Sequence, residues 1–461
     1  MASLPFSLSA PAADGQRLSG WRLAAFSAIA VPLAGAGLPL AVFLPPVYAQ
    51  DHGLSLGAIG LIFLLGRLWD AVLDPFVGAL SDRTRSRFGR RRPWIAGGSV
   101  LFALSAFFLF FPQGQVTALS LAVILFFFYL GWTAIQIPFL AWSGEISGHY
   151  HERTRIATYQ TVVTAAALML ALVLPTIADQ FRPGDGALKL ALMGGLVAAT
   201  VIPGVLLTLT AFGETTAPAI PAVRQPIGQI VRAVLGDRLL LRVLGSDFAV
   251  TLGQTIRASL IVFFVTFYMG RPEWAGGLFL FQFVFGILAG PIWLRIGYRL
   301  GKHRTAVAGE LVQVAINLGL LLVTPDSFGL LLGLTLAQGL AQGSGNLMLR
   351  AIVADVADKH RLDTGENRTG LYFSVFSLAG KAATAAAIGI ALPLVAWLGF
   401  DPKADNTPAA LSSLLYVFAL GPALAHALSA WLIAGFPLDE AAHARIRDEL
   451  EARDRAPLPA E

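Results

Sequence analysis

The sequence predicts an all-α membrane protein, a bundle of twelve transmembrane helices in two six-helix halves. Three observations carry that prediction: an apolar composition, apolar runs of bilayer length, and cations confined to alternate connections. Of 461 residues, 56% are hydrophobic and 13% charged, with a mean hydropathy of +0.69. A soluble domain carries about 25% charged residues. Such a surface suits lipid, so the net charge of +5 is read loop by loop and not as a nucleic-acid footprint. The absence of cysteine excludes disulfides, thiolate metal sites and cysteine nucleophiles. Seven scattered histidines show no metal-ligand spacing. Residues 1–20 lack the basic, apolar and cleavage regions of a signal peptide and read as a cytoplasmic tail.

A membrane-spanning helix needs about 20 apolar residues. In the N-terminal half, residues 21–213, such runs fall at 21–48, 56–80, 93–111, 116–142, 155–177 and 187–212. A Pro-containing polar stretch, 214–237, divides the chain as a cytoplasmic middle loop. In the C-terminal half, residues 238–436, the runs fall at 239–269, 274–296, 305–323, 328–354, 369–398 and 409–436. Residues 437–461 form a charged tail, expected as a cytoplasmic surface helix with Glu/Arg pairs. Alternating ten-residue segments are too few for a barrel.

Lys and Arg orient the bundle. The connection after span 2 holds Arg83, Arg85, Arg87, Arg90, Arg91 and Arg92, and the other even-numbered connections are also basic. The odd-numbered ones hold only Arg182, Lys189, Arg271 and Lys403. Both termini are therefore expected in the cytoplasm. The connections after spans 2 and 8 also resemble each other: GALSDRTRSRFGRRR from Gly78 and GPIWLRIGYRLGKHR from Gly290. Two six-helix halves repeated in parallel are the arrangement of transporters that bind solute near the midplane.

The ionisable residues inside the spans point to the site. Asp70 and Asp74 lie four apart on one face of span 2, with Arg67 three residues before Asp70. Charged groups in a membrane face a cavity or a partner. Two carboxylates this close repel each other, so the pair can carry a proton or hold a monovalent cation with hard oxygen ligands. Gln136 (span 4), Gln254 and Arg257 (span 7) and Lys381 (span 11) are further polar groups in the spans. Arg257 and Lys381 lie deep, and are expected to face the acidic pair or an anionic or hydroxyl-rich solute. Asp247 and Glu310 lie nearer the cytoplasmic ends and read as interhelical gate or packing contacts. Trp132 and Trp142 on span 4 are suited either to stacking on a sugar face or to packing.

Together these residues resemble a known family. The run Arg67-x-x-Asp70-x-x-x-Asp74-Pro75 continues as Gly78-x-x-x-Asp82-Arg83 and on to Gly89-Arg90. With Ile137-Pro138-Phe139, Glu152-Arg153-Thr154, Ala354-Asp355 and Lys381, it resembles the glycoside–pentoside–hexuronide:cation symporters, the melibiose-permease-like branch of the major facilitator superfamily. The resemblance implies the major facilitator fold. It implies that Asp70 and Asp74 are the paired cation-site aspartates, Thr133 a hydroxyl ligand, and Lys381 a lysine near both cation and sugar sites. It implies that Asp82, Arg83, Gly89 and Arg90 brace the inward gate.

The departures bear on substrate and ion. Span 1 (VPLAGAGLPLAVF) has no acid, the span 4 sugar position is Gln136, and the amide that sodium users place beside the second aspartate is Leu73. This favours a proton over sodium, and a solute other than a simple galactoside. The expectation is therefore cation-coupled symport of a sugar, glycoside or sugar acid by a monomer. The solute would meet Arg67, Trp132, Gln136, Gln254, Arg257 and Lys381. No cofactor is expected beyond the coupling ion, H+ or Na+, and no metal site beyond Na+ at Asp70 and Asp74. A carrier of lipid-like solutes and an uncoupled facilitator stand as alternatives. An enzyme is not expected, because no nucleophile–base or metal constellation is present.

Overall fold

Prolines and glycines decide where the apolar runs bend. The computed structural model describes residues 17–147, 150–214, 227–366 and 368–455. Span 1 forms three pieces, α1 (Gly20–Ser27), α2 (Ala30–Val42) and α3 (Leu44–Gln50). Pro32, Pro39, Pro45 and Pro46 remove backbone donors along it. At the first break a neighbouring helix repairs the backbone: Ile29 N–H donates to the Thr208 hydroxyl at 3.1 Å, which donates to Phe26 C=O at 3.0 Å. Freed backbone groups in a membrane need such a partner.

Spans 2 to 6 are α4 (Leu56–Arg83), α5 (Arg92–Phe110), α6 (Ala118–Glu145), α7 (Tyr150–Phe181) and α8 (Gly186–Ala211). Residues 215–226 of the expected middle loop, with Arg224, lie outside the described residues. The remainder of that loop is mostly helical, α9 (Ile227–Gly236). Spans 7 to 9 are α10 (Arg238–Phe263), which continues as a π-turn over Phe264–Tyr268, α11 (Ala275–Leu300) and α12 (Lys302–Gly319).

Eleven helices among the described residues are long and apolar enough to cross a membrane. The twelfth run, 328–354, is divided into α13 (Phe328–Ala341) and α14 (Ser344–Thr364). Gly343 makes the break with φ +93°, a left-handed conformation that glycine adopts without a Cβ clash. Spans 11 and 12 are α15 (Thr369–Trp397) and α16 (Pro408–Ile433).

The halves meet chiefly through α4 with α15, α7 with α11, and α2 with α10. Their packing is close at the end away from the arginine-rich loop. There Gly60 faces Pro393, Gly389 faces Leu64, and Gly276 faces Pro175 and Thr176. Gly276 N–H donates to Asp179 at 3.1 Å, and Gln180 donates to Glu273 C=O at 3.4 Å. Asp179, fully buried, also binds Lys189 at 2.6 Å.

The repeat seen in sequence has a structural counterpart. Gly89 (φ +105°) and Gly301 (φ +81°) both turn the chain into the next span in the left-handed region. In the C-terminal half, Lys302 at that turn binds Asp355 at 2.7 Å. The tail helix α17 (Glu440–Arg455) is docked on α14 rather than free. His443 lies 3.3 Å from Asp355, Arg447 lies 3.6 Å from Asp358, and Ile446 and Leu450 are buried.

Candidate coupling and solute site

Asp70 and Asp74 sit mid-way along α4, on the face turned to the other half. Asp70 is 1% exposed. Its Oδ1 accepts from the Thr133 hydroxyl of α6 at 2.8 Å, and its Oδ2 lies 3.1 Å from Lys381 Nζ. Lys381, from α15, also binds Asp74 Oδ2 at 2.5 Å. Arg67 completes the group, 3.9 Å from Asp70 Oδ2 and with its guanidinium over the Tyr129 ring at 5.2 Å. Two carboxylates and two cations are thus brought to formal neutrality, joining α4 and α6 of one half to α15 of the other. Asp74 Oδ1 is buried without a hydrogen bond among the described residues.

The chemistry of this cluster follows from its donors. Lys381 places an ammonium where the paired carboxylates would hold a cation. The hard oxygens of Asp70, Asp74 and Thr133 suit a small monovalent cation, which would compete with Lys381 for them. A proton on Asp74 would weaken the Lys381–Asp74 bond.

The other expected solute contacts divide. Trp132 Nε1 donates to Gln136 Oε1 at 2.9 Å, and the Trp132 ring packs on Phe102, Phe128 and Gly37. Trp142 is 1% exposed and packs edge-on against Phe26 at 5.1 Å, so of the two roles it takes packing. Gln254 Nε2 donates to Asn346 Oδ1 at 3.4 Å. Arg257 departs from the expected contact with the acidic pair: it is 2% exposed, binds Asn317 on α12 at 3.0 Å and lies over Phe418 on α16 at 5.2 Å, while its Nε and Nη2 are buried without a partner among the described residues. The helix turns it into the back of its own half, where an amide and an aromatic face receive the charge.

Glu310 and His426 form a buried pair at 2.6 Å, a packing contact between α12 and α16. Asp247 behaves differently. It lines a cavity of about 430 Å³ with Thr251, Asn346, Arg350, Phe376 and Ser377. Sequence reading passed over Arg350, although a lone arginine within an apolar run was its visible signal.

At the arginine-rich loop the partners are partly those expected. Arg91, not Arg83, is the central cation: it pairs with Asp82, with Glu145 at 3.0 Å and with Ser81 at 2.9 Å. Arg90 joins Glu145 at 3.3 Å. Arg83 points outward, exposed. Glu214, which the sequence did not single out, accepts from the backbone N–H groups of Arg90 at 2.7 Å and Arg91 at 2.8 Å. An anion at the start of α5 suits both its unpaired donors and its dipole.

Two helical bundles facing each other across a neutralised charge cluster define a membrane transporter of the major facilitator kind. The model of the MFS/sugar transport protein family matches residues 25–440, and the chain belongs to that family. It is 26% identical to the inner membrane symporter YicJ of Escherichia coli, over 83% of this chain and 84% of that one. It is 22% identical to the glucuronide carrier protein homolog of the same organism, over 90% and 92%. The solved nucleoside transporter NupG is alike in fold, with a TM-score of 0.63 at 10% identity over 91% of this chain and 100% of that one. The chain is a secondary transporter of a small-molecule solute and not an enzyme.

Proposed function

We propose that the protein is a cation-coupled symporter of a sugar, glycoside or sugar acid, with the proton as the favoured ion. One observation carries the reading: Lys381 binds Asp70 and Asp74 across the two halves, at 3.1 and 2.5 Å. A proton on Asp74 frees the ammonium, loosens a bond between the halves and alters the charge that faces the solute. Ion occupancy and the rocking of the halves then share one switch. Coupling of this sort is worth about 1–3 kcal/mol between ligands when typical.

Leu73 in place of an amide and the ammonium already seated between the carboxylates support the proton over sodium. The names of the relatives, among them a glucuronide carrier homolog and an isoprimeverose transporter, support a sugar-like solute. The basic even-numbered connections support cytoplasmic termini, and the relative named an inner membrane symporter supports that membrane as the location. A single chain contains the whole cluster, which is consistent with a monomer.

The test is uptake by purified protein in liposomes, with a panel of glycosides and sugar acids under an imposed pH or sodium gradient. Accumulation driven by an inward proton gradient, and unmoved by sodium, is expected. Accumulation driven by sodium alone would contradict the choice of ion, and uptake indifferent to both would contradict symport.

A further inference from the structure

The coupling cluster leaves one buried carboxylate unused. Asp247 on α10 is 4% exposed and has no hydrogen bond or salt bridge among the described residues. An isolated buried carboxylate is costly, and one that faces a cavity is positioned to receive a ligand. The cavity it faces, about 430 Å³, is within the range that small-molecule sites occupy.

Its lining is mixed in an informative way. Thr251, Asn346 and Ser377 offer neutral donors and acceptors, Phe376 offers an apolar face, and Arg350 brings a guanidinium. Arg350 is exposed while Asp247 is buried, so the acid sits deep in the recess and the cation at its mouth. Glu310, a charge that acts on Asp247, is held by His426. Gly380 approaches so closely that a Cβ there would lie 3.7 Å from Asp247 Oδ2. The next residue on α15 is Lys381 of the coupling cluster.

We propose that this recess in the C-terminal half is the solute subsite, built for a polyhydroxylated solute that carries a carboxylate. Vicinal hydroxyls of the solute donate to the Asp247 carboxylate, and its anionic group meets Arg350. An acceptor-only carboxylate is matched to two hydroxyl donors, and a guanidinium to a carboxylate. The flat Phe376 ring covers the C–H face of the solute. The hydroxyl recognition that the acid-free span 1 and Gln136 lack is supplied from the opposite half. This assignment rests on the transporter reading above, adds the residues and, of the solutes named there, selects the acidic ones.

The experiment is equilibrium binding of radiolabelled D-glucuronate and D-glucose to purified wild type, Asp247→Asn and Arg350→Gln, each checked for its thermal unfolding midpoint. Wild type is expected to bind glucuronate more tightly than glucose. Asp247→Asn should weaken both by about tenfold or more, the usual scale for a hydrogen bond to a charged group. Arg350→Gln should weaken glucuronate by about tenfold and leave glucose within about twofold, removing the preference. Two folded variants that bind glucuronate like wild type overturn the subsite, and so does a wild type that binds neither sugar. Proton-driven uptake of any other solute in the liposome assay would leave the symporter reading standing in either case.

Discussion

At the scale of single residues, Lys381 decides how the acidic pair behaves. Without it, among the described residues, Asp70 would keep only Thr133 and the longer contact to Arg67, and Asp74 would lose its ion pair. Removing one partner of a buried pair leaves an uncompensated charge. The side chains of Lys381 and Asp74 are 22% and 24% exposed, so the loss is placed at the low end for such pairs. We predict that Lys381→Ala lowers stability by up to about 3 kcal/mol. Adding Asp74→Asn should recover a large part of it, because the double variant restores the charge balance; denaturation of all four proteins in a mutant cycle measures this. A double variant no more stable than Lys381→Ala would show that the lysine acts by packing alone.

The acidic pair was legible because its four-residue spacing and its apolar surroundings are both local features. Arg257 was not. Its depth in the sequence matched that of Lys381, but which side of α10 faces the other half depends on tertiary packing. Arg91 was hidden for another reason: among three successive arginines, only the start of α5 selects the one aimed at Asp82 and Glu145.

At the scale of elements, close helix approach sets the geometry of the site. Thr133, the hydroxyl on Asp70, lies two residues from Gly131, where α6 crosses α5. A Cβ at Gly131 would lie 2.6 Å from Phe102 N and 2.9 Å from Phe102 Cα, and Gly98 faces the same crossing. Small residues let membrane helices approach in this way. Because the obstacle is backbone, Gly131→Ala forces the helices apart, and we predict a loss of about 1–3 kcal/mol. Thermal unfolding in detergent checks it; an unchanged midpoint would mean that the crossing yields easily. The broken spans were only partly legible. Prolines announced bending in span 1, whereas the split at Gly343 turns on one left-handed glycine among many glycines in this chain.

At the scale of the whole molecule, the halves are joined at the midplane by Lys381 and at the end away from the arginine-rich loop by α7 with α11. Alternating access requires that second contact to open. The chain has no cysteine, so paired cysteines report on this without background. Cross-linking Gln180→Cys to Glu273→Cys across the closed end should abolish transport, and the same double variant left unlinked should transport. Full transport by the cross-linked protein would refute rocking at this contact. The twelve-span, two-half architecture was the most legible feature, since run length and loop charge are written along the chain. The recess at Asp247 was the least legible, since α10, α14 and α15 contribute to it from separate segments spread between Asp247 and Gly380.

The central claim is that Asp74 joins ion to solute. Its most direct test compares wild type with Asp74→Asn in liposomes, measuring accumulation driven by a proton gradient beside exchange of solute across the membrane with no gradient. We predict that Asp74→Asn loses accumulation and keeps exchange, because the halves still rock while the proton has no seat. Accumulation equal to that of wild type would contradict the account, leaving Asp74 as a structural partner of Lys381 alone.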